Sequence, residues 1–203
     1  LEMKKIKVVD TNIGDFICSV FNERPYSFKS SAIHKNTLHI ADIYTDKFGV
    51  KENLNAKQLT TYTKNILRNE VYNPEALITG ANFLISNTGS IVFTENEGNI
   101  LKSSTFTPIH IVVAGIDKTI TSIDELSVLL PLSSLYDTNK NISSLYSVIN
   151  SPSKIDDKFQ DLYLILLNNN RINILSKEKQ RNILSCIQCG ACFEVCPIYN
   201  IVG

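Results

Sequence analysis

The sequence has no excess of charge of either sign and no apolar run long enough to cross a membrane. Twenty Lys and Arg residues balance 20 Asp and Glu residues over 203 positions, which gives no electrostatic basis for binding nucleic acid or an anionic membrane surface. The longest apolar runs, residues 109–116 and 162–167, are much shorter than a membrane-spanning helix and are typical of buried strands. The composition therefore predicts a globular protein without a transmembrane segment.

The motifs of several common enzyme classes are also missing. The sequence has no Walker motif, no dinucleotide-binding glycine motif, no Ser/His/Asp arrangement and no internal repeat. Its three histidines are not spaced as a metal-binding pair. We expect His110 to be a core residue of an apolar strand and His39 to lie on a helix. Only His34, in a turn beside Lys35, is placed for a site.

Cysteine is confined almost entirely to one run near the end of the chain. Four of the five cysteines have the spacing C-x2-C-x2-C-x3-C-P, namely Cys186, Cys189, Cys192 and Cys196 before Pro197. This spacing is typical of the thiolate ligands of a [4Fe-4S] cluster. Structural zinc is the alternative, but zinc sites usually join two pairs of ligands across a longer loop. The run predicts electron transfer.

The fourth cysteine of such a run has a separate role in proteins with two clusters. There the first three cysteines bind one cluster and the fourth binds the other. Cys186, Cys189 and Cys192 therefore need a fourth ligand from elsewhere. The remaining cysteine, Cys18, lies among apolar residues and is more typical of a buried small side chain than of a ligand. We expect two clusters in the full-length protein.

Both ends of the chain have the character of cut ends. Met3 is the only methionine and the sequence starts at Leu1, so we expect the natural start, and the first elements of the fold, to lie upstream. We also expect the chain to stop before a second cysteine run. No signal peptide is present, and oxygen-sensitive thiolates need a reducing compartment, which predicts a cytoplasmic location.

Alternating strand and helix patterns predict an α/β domain with a largely parallel sheet over residues 1–175, followed by an iron-sulfur segment over residues 176–203. A capping box of Ser122 and Glu125 predicts a helix that Pro131 breaks or kinks, and Ser176 is predicted to cap a short helix leading to the cysteines. The other predicted elements are helices over 12–21, 34–48 and 56–71, strands over 6–9, 109–114, 143–149 and 162–167, short strands with tight turns over 77–93, and an extended segment over 27–33.

A cluster of small and polar residues between positions 79 and 99 has two interpretations. Glycines expose backbone amides at turns, and neighbouring side chains add neutral donors, a combination suited to a phosphate or carboxylate ligand. The same residues also make ordinary hairpin turns. Glu97 is the best candidate for a reacting carboxylate. The candidate ligand-pocket residues are Asn82, Thr88, Gly89, Ser90, Asn96, Glu97, Gly98 and Asn99.

Several motifs together resemble a known family. They are Gly80-Ala-Asn-Phe-Leu-Ile-Ser-Asn-Thr-Gly-Ser90, Asn96-Glu-Gly-Asn99, Asn170-Arg171, Asn173-Ile-Leu175, and the cysteine run with Pro197-Ile-Tyr199. In this order they resemble the lactate utilisation protein B family, whose members have a LUD domain followed by a two-cluster ferredoxin-type segment. The resemblance extends from Val8-Val-Asp10 to Gly203.

The resemblance implies a NagB/RpiA/CoA-transferase-like α/β fold and an iron-sulfur subunit that relays electrons from L-lactate, oxidised to pyruvate, to an acceptor. It implies partner subunits in the cytoplasm. Cys186, Cys189 and Cys192 match ligands of the first [4Fe-4S] cluster, and Cys196 matches a ligand of the second. The family's second cysteine run and N-terminal portion are absent here. Residues 168–171, Asn-Asn-Asn-Arg, replace an expected Asp-Asn-Gly-Arg turn, and asparagine tolerates the left-handed angles that such a turn needs.

Two other functions are consistent with the sequence. One is an acyl- or CoA-transferase that acts through the glycine-rich pocket with Glu97 as nucleophile, by analogy with the fold. The other is a scaffold whose LUD domain only binds partner subunits. On either the electron-transfer or the scaffold hypothesis, the chain is not expected to be catalytic alone.

Overall fold

The computed structural model describes residues 6–26, 31–50, 54–72, 74–138, 145–155 and 157–202. The chain forms two compact units, Leu1–Asn73 and Pro74–Gly203. In the described residues, no helix is both long enough and apolar enough to span a bilayer.

The first unit contains three helices, α1 (Ile13–Phe21), α2 (Thr37–Phe48) and α3 (Ala56–Tyr72). Their apolar faces meet in a core of Val20, Ala41, Tyr44 and Leu59, as helical spacing of apolar residues requires. The buried Tyr44 hydroxyl lies 2.7 Å from Thr63 Oγ1, so its polar group is satisfied inside this core.

Local hydrogen bonds and a left-handed residue define these helix ends. The side chain of Asn12 accepts hydrogen bonds from backbone amides at the start of α1, and Asn36 does the same for α2. Gly49 ends α2 in the left-handed conformation, with φ 64°. His39 lies on α2 as predicted.

Two predicted extended segments are not found in this unit. Residues 6–9 form no strand, because the described residues offer them no pairing partner. Residues 31–34 form a turn instead of an extended segment, and the remainder of that prediction, residues 27–30, lies outside the described residues.

The second unit is built on a parallel sheet of β1 (Ala76–Gly80), β4 (Ile109–Gly115) and β9 (Asp161–Leu167). Strand β4 is central, with Leu77 of β1 opposite His110 and Val112 opposite Leu164 of β9. The mixed α/β class with a parallel sheet is thus confirmed, as are the predicted strands at residues 109–114 and 162–167.

A second sheet is formed by β2 (Phe83–Ile85), β3 (Ser90–Glu95), β5 (Thr119–Ile120) and β6 (Leu145–Ile149). Its strand order is β5-β2-β3-β6, and it is mixed. The β2-β5 pair is parallel, whereas β2-β3 and β3-β6 are antiparallel. The short strands and tight turns predicted for residues 77–93 are confirmed. A small antiparallel pair, β7 (Lys154–Ile155) and β8 (Lys158–Phe159), completes the described strands.

Both faces of β2 and β3 are buried, and alternate residues supply two cores. One core contains Leu84, Ile91, Phe93, Val112 and Ala114, which join β2 and β3 to the central strand β4. The other contains Phe83, Ile85, Val92 and Leu126, which join the opposite face of the mixed sheet to helix α5 (Leu126–Thr138).

The helices of this unit are α4 (Asn99–Phe106), α5 (Leu126–Thr138), α6 (Arg171–Leu175), α7 (Ala191–Glu194) and α8 (Tyr199–Val202). The capping box of Ser122 and Glu125 is present before α5, but the helix continues through Pro131 and is not broken there. The prediction that Ser176 begins a helix is wrong. Ser176 is the C-cap of α6, because the turn at residues 168–170 starts that helix earlier.

Candidate metal centre

The part of the second unit that contains the parallel and mixed sheets, residues 74–175, is called the sheet domain below. The cysteine run follows it directly. A short 3-10 helix, Arg181–Ser185, leads into Cys186. Cys186 and Cys192 are exposed, whereas Cys189 and Cys196 are half-buried. Two of the four thiols therefore face solvent, where metal and sulfide can reach them.

Two residues between the cysteines have left-handed backbone conformations. Gln188 has φ 61° and Gly190 has φ 80°, and Gly190 begins the short helix α7 that carries Cys192. Glycine adopts this conformation without strain, but for glutamine it costs about 1–2 kcal/mol. The conformation of Gln188 is thus one that tertiary contacts have to maintain.

Those contacts join the cysteine loop to the sheet domain. Ile187 is half-buried against the core of Phe83, Ile85, Val92 and Leu126. The ammonium group of Lys118 donates a hydrogen bond of 3.0 Å to Gln188 Oε1. An apolar contact and a polar contact on adjacent residues therefore fix the loop between Cys186 and Cys189.

Lys118 is one of several charged residues that lie together at the carboxyl end of strand β4. It follows Asp117, whose carboxylate forms an ion pair with the guanidinium of Arg171 at the end of β9. Burial lowers the pKa of Lys118, an effect that its interactions with Asp117 and Cys186 oppose. A thiolate at Cys186 would therefore favour the charged form of Lys118.

The last cysteine has its own local support. The sulfur of Cys196 accepts a hydrogen bond from the backbone N–H of Tyr199 at 3.5 Å. The rings of Phe193 and Tyr199, which lie on either side of Cys196 in sequence, pack at 4.5 Å between centroids. Backbone N–H donors to thiolate sulfur are one of the features that set the reduction potential of iron-sulfur sites.

Within the described residues, no three His, Cys, Asp or Glu side chains are gathered closely enough to hold a metal ion. The donor set nevertheless fits a [4Fe-4S] cluster in its chemistry. It consists of soft sulfur ligands at ferredoxin spacing, with accessible thiols and a left-handed glycine between them.

The LUD domain family model matches residues 2–175. The chain belongs to the LUD domain family. Two similar curated proteins are named Lactate utilization protein B: that of Bacillus cytotoxicus is 31% identical over 204 residues, and that of Geobacillus sp. WCH70 is 32% identical over 206 residues. Both alignments cover 100% of this chain, which spans 43% of the length of each relative.

One solved structure is also similar. It is the crystal structure of a duf162 family protein from Deinococcus radiodurans, with 16% sequence identity and a TM-score of 0.34. The match covers 48% of this chain and 56% of that protein.

The predicted ligand pocket of the LUD domain is divided between the two ends of strand β3. Thr88 and Gly89 lie in the exposed turn before the strand, where Thr88 Oγ1 is 2.6 Å from Ser90 Oγ. Residues 96–99 lie at the other end, with Asn96 exposed. Because the six residues of β3 span about 20 Å, the structure does not bring these two groups together.

The polar groups near the second end are engaged in the fold of the LUD domain. Asn82 Oδ1 accepts a hydrogen bond of 2.9 Å from the backbone N–H of Thr94. Glu97 Oε2 accepts one of 2.7 Å from Asn99 Nδ2, and Gly98 has φ 74° at the start of α4. These bonds stabilise the turn, and ligand binding by these residues stays a prediction.

A neighbouring carboxylate was not found by sequence analysis. Glu95 accepts hydrogen bonds at 2.8 and 2.9 Å from the backbone amides of Ile100 and Leu101, so it caps α4 in the way an acidic group does near a helix N-terminus.

The LUD domain also has a groove of about 450 Å³ in the first unit, lined by Val50, Leu54, Lys57, Gln58, Thr61, Tyr62 and Asn65. None of the predicted pocket residues lines it.

The remaining candidate residues have structural roles. His34 Nε2 pairs with Glu23 Oε2 at 2.9 Å. His110 is fully buried, as predicted, and its Nε2 is 2.8 Å from Thr79 Oγ1. The buried thiol of Cys18 donates a hydrogen bond of 3.2 Å to the carbonyl of Ser31, which agrees with its interpretation as a core residue rather than a ligand.

Proposed function

We propose that this LUD domain protein is an iron-sulfur electron-transfer subunit of a lactate-utilisation system that oxidises L-lactate to pyruvate. The observation that carries the proposal is the C-x2-C-x2-C-x3-C-P run on a loop anchored to the sheet domain by Ile187 and Gln188. The similarity of the whole chain to proteins named Lactate utilization protein B supports the metabolic role.

The thiolates of Cys186, Cys189 and Cys192 would hold the first [4Fe-4S] cluster, and that of Cys196 would contribute to a second one. When bound, such clusters supply one-electron transfer. Residues of this chain would bind the iron, hold the cysteine loop against the LUD domain and place a positive side chain beside that loop. The need of the thiolates for a reducing environment makes the cytoplasm the proposed location.

This proposal predicts that the full-length protein, purified without oxygen, contains iron and acid-labile sulfide and has a brown absorption that air removes. Cys186→Ser should lose most of the iron, because it replaces a soft ligand with a poor one. Cys18→Ser is the matched control and should keep the iron, since Cys18 is a buried thiol in α1. Iron and sulfide analysis with absorption spectroscopy measures both.

The substrate is tested in the same preparation after reconstitution with the partner subunits. L-lactate should bleach the absorption, and the Cys186→Ser complex should bleach much less. A colourless protein that contains zinc would contradict the iron-sulfur assignment. Bleaching by an unrelated reductant but not by L-lactate would retain the clusters and contradict the substrate.

A further inference from the structure

We infer that Lys118 is the positioning residue that the sheet domain contributes to the first cluster, and that its positive charge raises the reduction potential of that cluster. The inference rests on the proposed function, because it requires iron bound by Cys186, Cys189 and Cys192. It adds a role for a residue outside the cysteine run, 70 positions from the side chain that it contacts.

The geometry places the side chain of Lys118 against the segment between Cys186 and Cys189. Its Nζ donates to Gln188 Oε1 at 3.0 Å, and Gln188 lies between the ligands Cys186 and Cys189. Ile187, the preceding residue, is packed against the core of the sheet domain. Lys118 therefore contacts a short segment that also packs against the sheet domain.

Contacts within the sheet domain also fix the position of Lys118. The 3-10 turn Ile116–Lys118 follows the central strand β4 directly. The preceding residue, Asp117, is tied to Arg171 by an ion pair in which the two side chains are only 10% and 24% exposed. Since Asp117 and Arg171 neutralise each other, Lys118 has no carboxylate salt bridge among the described residues and supplies the uncompensated positive charge.

A fixed positive charge changes the energy of the two oxidation states unequally. A [4Fe-4S] cluster with thiolate ligands is negatively charged, and reduction adds one more negative charge. An ammonium close by, partly shielded from water, stabilises the reduced state more than the oxidised state. The reduction potential of the cluster is therefore higher with Lys118 than without it.

The test uses Lys118→Met in the full-length protein, purified without oxygen and titrated with dithionite, with electron paramagnetic resonance as the readout. Methionine keeps the length of the side chain but removes its charge and its hydrogen bond. We expect the cluster to be retained and its midpoint to fall. The expected fall in the ratio of reduced to oxidised cluster at the wild-type midpoint is about tenfold, which is about 59 mV for one electron.

Two further variants make the result specific. Lys118→Arg, which keeps the charge and the donor, should restore most of the wild-type midpoint. Lys158→Met removes the same charge from an exposed lysine on β8 and should leave the midpoint unchanged. An unchanged midpoint in Lys118→Met would overturn the inference, as would loss of the cluster from both Lys118 variants. Absence of iron from the wild-type protein would instead contradict the proposed function.

Discussion

Gly115 shows how little space the charged residues at the end of β4 leave. Its backbone angles, φ −69° and ψ 145°, are open to any residue. A Cβ atom there, however, would overlap Asp117 Oδ1 and would lie 3.1 Å from Arg171 Nε. The requirement for glycine at this position comes from the ion pair beside it and not from the backbone.

We therefore predict that Gly115→Ala lowers the free energy of unfolding by about 1–3 kcal/mol, the usual cost of overpacking. Gly80→Ala on strand β1 is the control, because the nearest atom to its added Cβ, the carbonyl oxygen of Val113, is 3.9 Å away. Urea denaturation of the two variants and the wild type measures the difference. Equal stability of the two variants would contradict this account of the site.

His110 is a second residue whose surroundings have a measurable consequence. It is fully buried on the central strand, with Phe93 stacked at 5.9 Å, and burial lowers its pKa. Among the described residues, its Nδ1 has no hydrogen-bond partner. Protonation would place a charge in this apolar environment, so the folded protein favours the neutral ring.

The sign of the pH effect follows from this lowered pKa. The unfolded chain takes up a proton near pH 6.5 while the folded protein does not, so stability is complete above that pH and falls as the pH drops below it. We predict that His110→Gln loses less unfolding free energy than the wild type does when the pH falls from about 7.5 to about 5. His39→Gln, on the exposed surface of α2, should behave as the wild type. A loss in His110→Gln as large as that of the wild type would contradict the prediction.

At the scale of elements, helix α5 depends on its capping box. Glu125 Oε1 accepts hydrogen bonds of 2.8 and 3.1 Å from the backbone amides of Thr121 and Ser122. These amides precede the helix and have no partner within it. The helix also contains Pro131, which removes one backbone donor, so the start of the helix carries more of its local stability.

We predict that Glu125→Ala destabilises the second unit by about 1 kcal/mol, the usual value for a lost cap. Glu125→Gln keeps an acceptor oxygen and should lose less. Thermal unfolding followed by circular dichroism ranks the three proteins. A stability of Glu125→Ala equal to that of the wild type would show that α5 is held by its packing on the mixed sheet alone.

Prediction from sequence was accurate where the signal is local. The apolar runs at β4 and β9 and the left-handed asparagines of the turn before α6 are each specified within a few residues. The segment at residues 6–9 has strand composition, but a strand also needs a partner. Ser176 has the composition of an N-cap, but the preceding asparagine turn had already begun the helix.

In the candidate site, too, local features could be predicted from the sequence and long-range contacts could not. The spacing of the cysteines predicts the ligand type without any structure. The contacts of Lys118 with Gln188 and of Asp117 with Arg171 join residues 70 and 54 positions apart, and no periodicity in the sequence encodes them. An indirect signal was present, since Ile187 is an apolar residue between two ligand cysteines and apolar residues pack against a core.

At the scale of the whole molecule, the LUD domain and the cysteine run are joined by structure as well as by sequence. The family model ends at residue 175, but the compact second unit continues from Pro74 to the end of the chain. The loop between Cys186 and Cys189 shares a core with β2, β3 and α5 through Ile187. Substitutions in that core are therefore expected to change the loop as well as the fold.

The position of Ile187 has a consequence for the biogenesis of the protein. The ribosome completes the strands and helix that receive this side chain before it makes Cys186, the first cysteine of the run, and domains generally fold as they emerge. The receiving surface is then already folded when the cysteine loop appears, and Ile187 can pack against it at once. On the proposed function, the entropy cost of ordering this loop would fall on folding and not on cluster insertion.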